Sequence, residues 1–371
     1  MATLEGGRIS SRQFLALLVL TRLLAALIDA PTISGTSAEH DAWIAVIIST
    51  VMAVPWVLLL VHLSSMYPGM TIIQYSQVIL GPYLGRLVGL MFVVFFLQQS
   101  AYTVRIGANA YTTTIMPETP QWVFIGLLTF LSANAARSGI EVLARSSSVS
   151  FAISLVLLVL LLVLPFNVMD FGNLFPVMAR GWQPVQEATL LSFAIYGELL
   201  VMAMLVPYLA EPREAGRYII YTLLLSGLLF TLFTMVVALV FGPFVSALIM
   251  PALSLGRIIH YPLVLERLEV IPLIAWTLSA GVKQCLFLWA AMLGIAQLFE
   301  LSDLQGLAYP VGALIGVLSE WFFSDVVDAS DFMTVQRFGT ISFFVTVATP
   351  LFLYAMTFVR RLIQRATGKG R

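Results

Sequence analysis

The sequence predicts an all-α integral membrane protein of about ten transmembrane helices, arranged as two inverted five-helix repeats. Three observations carry that prediction. Of 371 residues, 60% are hydrophobic and only 10% are charged, against roughly 45–50% and about 25% in soluble domains. Apolar stretches of the ~20 residues that cross a bilayer recur along the whole chain. Two of them, five spans apart, each carry a charge beside a helix-weakening residue.

The composition also excludes. Mean hydropathy is +0.97. Nineteen basic and nineteen acidic residues cancel, so no basic excess points to nucleic acid and no acidic tail to disorder. One cysteine, Cys285, allows no intrachain disulfide and no cysteine metal site. Three scattered histidines argue against zinc or haem, and no cofactor is expected. The first apolar run is interrupted by Arg22 and Asp29 and lacks a small-residue cleavage site, so it reads as a retained span rather than a signal peptide.

The spans fall at roughly 12–34, 42–63, 83–114, 121–136, 147–166, 186–209, 218–244, 264–298, 307–324 and 338–359. The fourth is short and the ninth marginal. The eighth is too long for a simple crossing and must tilt or project. Residues 245–263, broken by Pro251 and Pro262, read as an outer re-entrant or interfacial helix, and Gly81-Pro82-Tyr83-Leu84-Gly85 reads as a turn. The chain is one membrane domain over 1–371, with repeats at 12–166 and 186–359 and a tail at 360–371. Lys and Arg in the connections set orientation. With both ends inside, Arg8, Arg12, Arg86, Arg137, Arg145, Arg213, Arg217, Arg360, Arg361, Arg365, Lys369 and Arg371 are cytoplasmic, against Arg180, Arg257, Arg267 and Arg337 outside. Both termini are therefore expected in the cytoplasm. The paired interruptions are Ile28-Asp29-Ala30-Pro31 in span one and Tyr196-Gly197-Glu198 in span six. Corresponding interruptions in two five-helix halves are the pattern of an inverted-repeat transporter, with the ligand at the breaks.

Several segments, in order, resemble a known family. They are Ile9-Ser10 with Gln13, Asp41-Ala42-Trp43-Ile44, and Gly139-Ile140-Glu141-Val142-Leu143-Ala144-Arg145. Asn173-Leu174-Phe175-Pro176-Val177, Val240-Phe241-Gly242, and Leu265-Glu266-Arg267-Leu268-Glu269 before Trp276 and Lys283 follow. Together they resemble the B subunit (GerAB type) of bacterial spore germination receptors, over nearly the whole chain. The resemblance implies the LeuT-like fold of the amino acid/polyamine/organocation transporter superfamily, with helices one and six unwound at a central site. It implies a small nutrient germinant as ligand, the spore inner membrane as location, and two partners, a larger membrane subunit and a lipoprotein. One departure stands out. Relatives usually carry glycines in the helix-one break, whereas this chain has Leu24-Ala25-Ala26-Leu27-Ile28. Alanine favours helix over glycine by about 0.8–1 kcal/mol per residue, so the break should be smaller or shifted toward Asp29.

Charges at bilayer depth cost roughly 2.5–3.5 kcal/mol each. Arg22, Asp29, Arg105, Glu198 and Lys283 lie within spans and sum to one excess positive charge. Either they pair within the bundle, or they welcome a ligand carboxylate. Gln98, Tyr102, Arg105 and Asn109 are spaced 4, 3 and 4 on one face of span three. They line an aqueous route or join helices by hydrogen bonds. Glu269, Trp276 and Lys283, seven apart, share a face of span eight. At Gly197 the backbone can open, and freed N–H and C=O groups would hold a zwitterionic amino acid. The candidate ligand-binding residues are thus Ala25, Ala26, Tyr102, Arg105, Tyr196, Gly197, Glu198, Trp276 and Lys283, with Asp29 and Glu198 as candidates for a proton or charge relay. The leading function is a germinant-binding receptor subunit that signals by conformational change. The alternative is an amino-acid/proton symporter. No nucleophile–base pair, metal motif or cofactor loop suggests an enzyme.

Overall fold

The computed structural model describes residues 5–34, 38–248, 250–258, 268–323 and 332–366, except for the side chains of 24–26, 28–34, 246–247 and 363–366. Among them the chain is nearly all helical, with one isolated β-bridge, Ile9 to Leu209. The helices are α1 (Ser11–Ser34), α2 (Ala42–Met66), α3 (Ile72–Leu80), α4 (Pro82–Thr114), α5 (Gln121–Arg137) and α6 (Ile140–Val163). Then come α7 (Trp182–Tyr196), α8 (Met202–Leu205), α9 (Ala215–Phe241), α10 (Pro251–Ile258), α11 (Val270–Leu298), α12 (Ala308–Phe322) and α13 (Thr349–Ala366).

Seven helical segments among the described residues are long and apolar enough to cross a membrane: Glu39–Met66, Pro82–Thr114, Ile140–Val168, Trp182–Tyr208, Pro212–Val245, Val270–Leu298 and Val335–Leu362. The expected ten are not reached. The helices at spans four and nine have 17 and 15 residues, short of the ~20 a crossing needs. The helix at span one, α1, is not among the seven, and part of its side chains fall outside the description.

Local chemistry explains the ends. Ser10 and Gln13 open α1 by a reciprocal cap: the Ser10 amide donates to Gln13 Oε1 (2.8 Å) and the Gln13 amide to Ser10 Oγ (3.3 Å). Thr71 and Gln74 repeat it for α3, a helix the hydropathy reading leaves out because it is short and only one face is apolar. Gly81, at φ +84°, makes the turn expected there, but Pro82 already begins α4. Proline suits a first helical position because its missing N–H has no helical partner anyway. The interfacial segment contains the short helix α10; residues 259–267 lie outside the described set.

Two apolar clusters make the core. One gathers Ile9, Phe14, Leu60, Ile140, Leu205 and Trp289 at the end where the chain begins. The other gathers Leu27, Ala42, Phe230, Leu255 and Trp276 at the opposite end. Three elements pass from one cluster to the other: α1 between Leu18 and Leu20, span six between Tyr196 and Ile195, α11 between Leu286 and Trp276. The buried charges lie along this seam.

Candidate functional site

Span six changes character at the predicted place. The α-helix ends at Tyr196, a 3₁₀ segment runs Gly197–Val201, and α8 follows. The change is milder than an unwound break, because Gly197 keeps right-handed helical angles (φ −52°, ψ −25°). Helix one departs further from expectation: α1 is helical throughout Ser11–Ser34. Alanines in place of glycines remove the backbone freedom such a break requires. Ala25, Ala26 and Asp29 lie in this continuous helix, and their side chains are outside the described set.

Where helix type changes, carbonyls lose their partners, and side chains take them here. Arg22 on α1 donates from Nη1 to the Ile195 carbonyl at 2.7 Å, and Ser342 donates to that of Ala194 at 2.7 Å. The expectation that these carbonyls would meet a ligand ammonium is thus corrected: they are already engaged. Gly197 has a packing reason as well. A Cβ there would lie 2.5 Å from Ser342 Oγ and 2.7 Å from Thr346 Oγ1. Both hydroxyls belong to a segment before α13 in which π-helical turns, Val335–Gly339 and Phe343–Ala348, flank Thr340–Ser342. Trp56 of α2 donates its indole N–H to the Thr346 carbonyl at 2.7 Å, serving a backbone group that the wider π turn leaves over.

Next to Gly197 sits the charge cluster. Lys283 Nζ donates to Glu198 Oε1 at 2.6 Å. Arg22 Nη1 lies 4.0 Å from Glu198 Oε2, close enough for attraction but too far for a hydrogen bond. The Arg22 guanidinium stacks 4.1 Å from the centre of the Tyr196 ring, a cation–π contact. The Tyr196 hydroxyl shares a 2.7 Å hydrogen bond with Thr50. All four are sealed from solvent: Arg22 2%, Tyr196 0%, Glu198 1% and Lys283 1% exposed. Glu198 Oε2 and Arg22 Nε have no hydrogen-bond partner. The cluster carries two cations and one carboxylate, so one positive charge is uncompensated within it.

The remaining candidates stand apart from this cluster. Arg105, 2% exposed, is paired with Glu320 of α12 at 2.8 Å. Tyr102 meets the Phe323 ring edge-on at 5.7 Å, and Asn109 accepts from Gln121 at the start of α5. Gln98 is half-buried. The described contacts of the span-three stripe therefore join α4 to its neighbours, as the second of its two readings holds. Trp276 lies 5.8 Å from the Tyr111 ring with its indole N–H unpartnered. Trp276 and Lys283 share α11 but stand about 10.5 Å apart along its axis at 1.5 Å per residue. Glu269 precedes α11 half-buried, while Glu266 and Arg267 lie outside the described residues. Thr50, Trp56, Ser342, Thr346 and Glu320 were not singled out from sequence. The recurrence of Ser342 and Thr346 at i, i+4 was the one available signal. Among the described residues no three His, Cys, Asp or Glu side chains gather as a metal site would need.

Known proteins place this geometry. A family model described as spore germination protein matches residues 8–322. Spore germination protein KB of Bacillus subtilis (strain 168) is 29% identical over 328 residues, covering 85% of each chain. Spore germination protein YndE of the same strain is 25% identical, covering 81% of this chain and 83% of its own. Spore germination protein A2, also from that strain, is 23% identical over 96% of this chain and 97% of its own. Among solved structures, a substrate-bound, outward-open Na+-coupled sialic acid symporter aligns with TM-score 0.63 at 12% identity, over 95% of this chain and 79% of that one. The closed nucleobase-cation-symport-1 transporter Mhp1 aligns with TM-score 0.56 at 13% identity, over 89% and 77%. These neighbours fix the fold as that of LeuT-type transporters. With the family model matched over most of its length, the chain belongs to the spore germination protein family.

Proposed function

We propose that this chain is a germination receptor subunit that binds a small nutrient, an amino acid, at the Arg22–Tyr196–Glu198–Lys283 cluster and reports it by a conformational shift. One observation carries the reading: two buried cations share one carboxylate, and Arg22 Nε and Glu198 Oε2 are left without hydrogen bonds. A ligand carboxylate would neutralise the excess charge at Arg22, and its ammonium would use Glu198 Oε2. The site is closed to solvent, so entry and exit require movement, which is what a sensor needs. The reading includes a spore inner membrane location, cytoplasmic termini, and a larger membrane subunit and a lipoprotein as partners.

Glu198→Gln tests it, because the amide keeps the shape and removes the charge. Loss of one charge-assisted hydrogen bond, worth about 1.5–3 kcal/mol, weakens binding tenfold or more. Spores carrying the variant should need at least tenfold more amino acid to germinate, at normal abundance on membrane immunoblots. Normal abundance with an unchanged dose response overturns the reading. The symporter reading draws on the fold neighbours alone. It is favoured instead if proteoliposomes of the purified chain accumulate labelled amino acid in response to a pH gradient.

A further inference from the structure

We propose that the end of the molecule opposite the chain's N-terminal segment carries a second binding site, for a small primary ammonium solute, built on Asp41. Two sequence motifs that the central cluster does not use meet there. The segment opening with Asp41 and the Asn173–Val177 segment contribute to the wall of a cavity of about 350 Å³, with Glu39, His40, Ala179 and Arg180. That volume is at the small end for ligand pockets.

Asp41 is 5% exposed. It stands at the residue before α2, where an aspartate usually caps the helix, yet it makes no capping hydrogen bond. Its Oδ2 accepts the Met178 amide at 3.0 Å, which ties the loop after α6 to the start of α2. Its Oδ1 has no donor among the described residues. A buried carboxylate oxygen with no donor is costly, and the helix N-terminus behind it favours the charged form.

The neighbouring charges select the ligand. Arg180 Nη1 lies 3.0 Å from Glu39 Oε1, so those two cancel. The His40 Nε2 is 3.2 Å from the Pro176 carbonyl and 3.8 Å from Asp41 Oδ2, so the carbonyl is its nearer partner. With His40 neutral, Asp41 leaves the cavity one net negative charge. A single carboxylate beside a histidine and an arginine lacks the six to eight oxygens of a calcium site. An ammonium group instead supplies the strong, charge-assisted donor that Oδ1 lacks. Oδ1 lies just beneath the cavity wall, so a bound ammonium reaches it by a small turn of the carboxylate or of His40.

The test uses the purified full chain in detergent with ethylammonium as the probe, read by ligand-observed saturation-transfer NMR. A saturable signal is expected. Asp41→Asn, which keeps a carbonyl oxygen for the Met178 amide, should weaken it tenfold or more. Ala179→Trp, at an exposed wall position, should block it by filling the cavity, and it decides the matter if Asp41→Asn does not fold. Glu198→Gln should leave the signal unchanged, which separates this site from the central cluster. Displacement by L-alanine would mark the amine of an amino acid as the natural ligand, and displacement by putrescine a polyamine. The proposal is overturned if no saturable signal exists, if both cavity variants leave it unchanged, or if Glu198→Gln abolishes it.

Discussion

Gly197 and Glu198 are neighbours with opposite demands. Glu198 brings charge into an apolar core, and Lys283 and Arg22 answer it. Breaking such a pair from one side leaves an uncompensated buried charge, at about 3–5 kcal/mol. Gly197 brings the absence of a side chain, and the hydroxyls of Ser342 and Thr346 occupy that space. A valine or alanine there tests packing before it tests ligand binding. Gly197→Ala places a methyl group against Ser342 Oγ, and overpacking of this kind costs about 1–3 kcal/mol. Its melting temperature in detergent should fall, and Ser342→Ala in the same chain should recover part of the loss by removing the opposing oxygen. Two fully additive losses would show that the two sites are not coupled through this contact.

At the scale of elements, the ends of helices are where distant segments are joined. Gly139 at φ +87° precedes α6, and the Glu5 carboxylate lies close against it. That carboxylate accepts from the Ile140 amide at 3.1 Å, the Gly7 amide at 3.0 Å and the Trp289 indole at 3.1 Å. It therefore serves the α6 N-terminus as an acceptor and as a favourable charge, and ties the N-terminal segment to α11. Glu5→Ala should remove about 0.5–2 kcal/mol of local stability, the usual worth of a cap. Hydrogen exchange of the amides from Ile140 to Leu143 should quicken severalfold. Unchanged exchange would show the Glu5 contact to be idle. The sequence already carried the helices, because a bilayer leaves the backbone few options and long apolar runs reveal them. It carried the turn at Gly81, the change at Gly197 and the buried charges of spans one, six and eight. It did not carry the π turns before α13, which leave the apolar pattern intact. Nor did it carry pairs such as Arg105–Glu320, whose partners are 215 residues apart and meet only through packing. The helix-one break failed for a local reason: alanine holds a helix where glycine would release it.

At the scale of the whole molecule, the helices form two groups held together across the seam. In one, α1, α2, α7 and α9 pack on one another; in the other, α4, α5, α11 and α12 do. The seam is spanned by α1 against α11, and by Glu198 against Lys283. Within the first group Ser49 and Ser192 share a 2.7 Å hydrogen bond, and the Ile9 strand pairs with Leu209. A ligand that inserted between Glu198 and Arg22 would weaken the ties across the seam and leave those within each group unaltered. Rigid groups joined by a small number of replaceable contacts move by discrete steps. Spin labels at the exposed ends of α9 (Arg217) and α4 (Arg86) report the distance between groups, and labels at Arg217 and Ser65 of α2 report a distance within one. On adding a mixture of the standard amino acids, the first distance should change by about 2 Å or more, the scale of binding-linked rearrangements, while the second holds. The Glu198→Gln variant should need tenfold more ligand for the same change. Movement of both distances together would replace rocking of two groups with a general loosening. Movement of neither, in a chain that binds amino acid, would mean that occupancy is passed on without a shift between the groups.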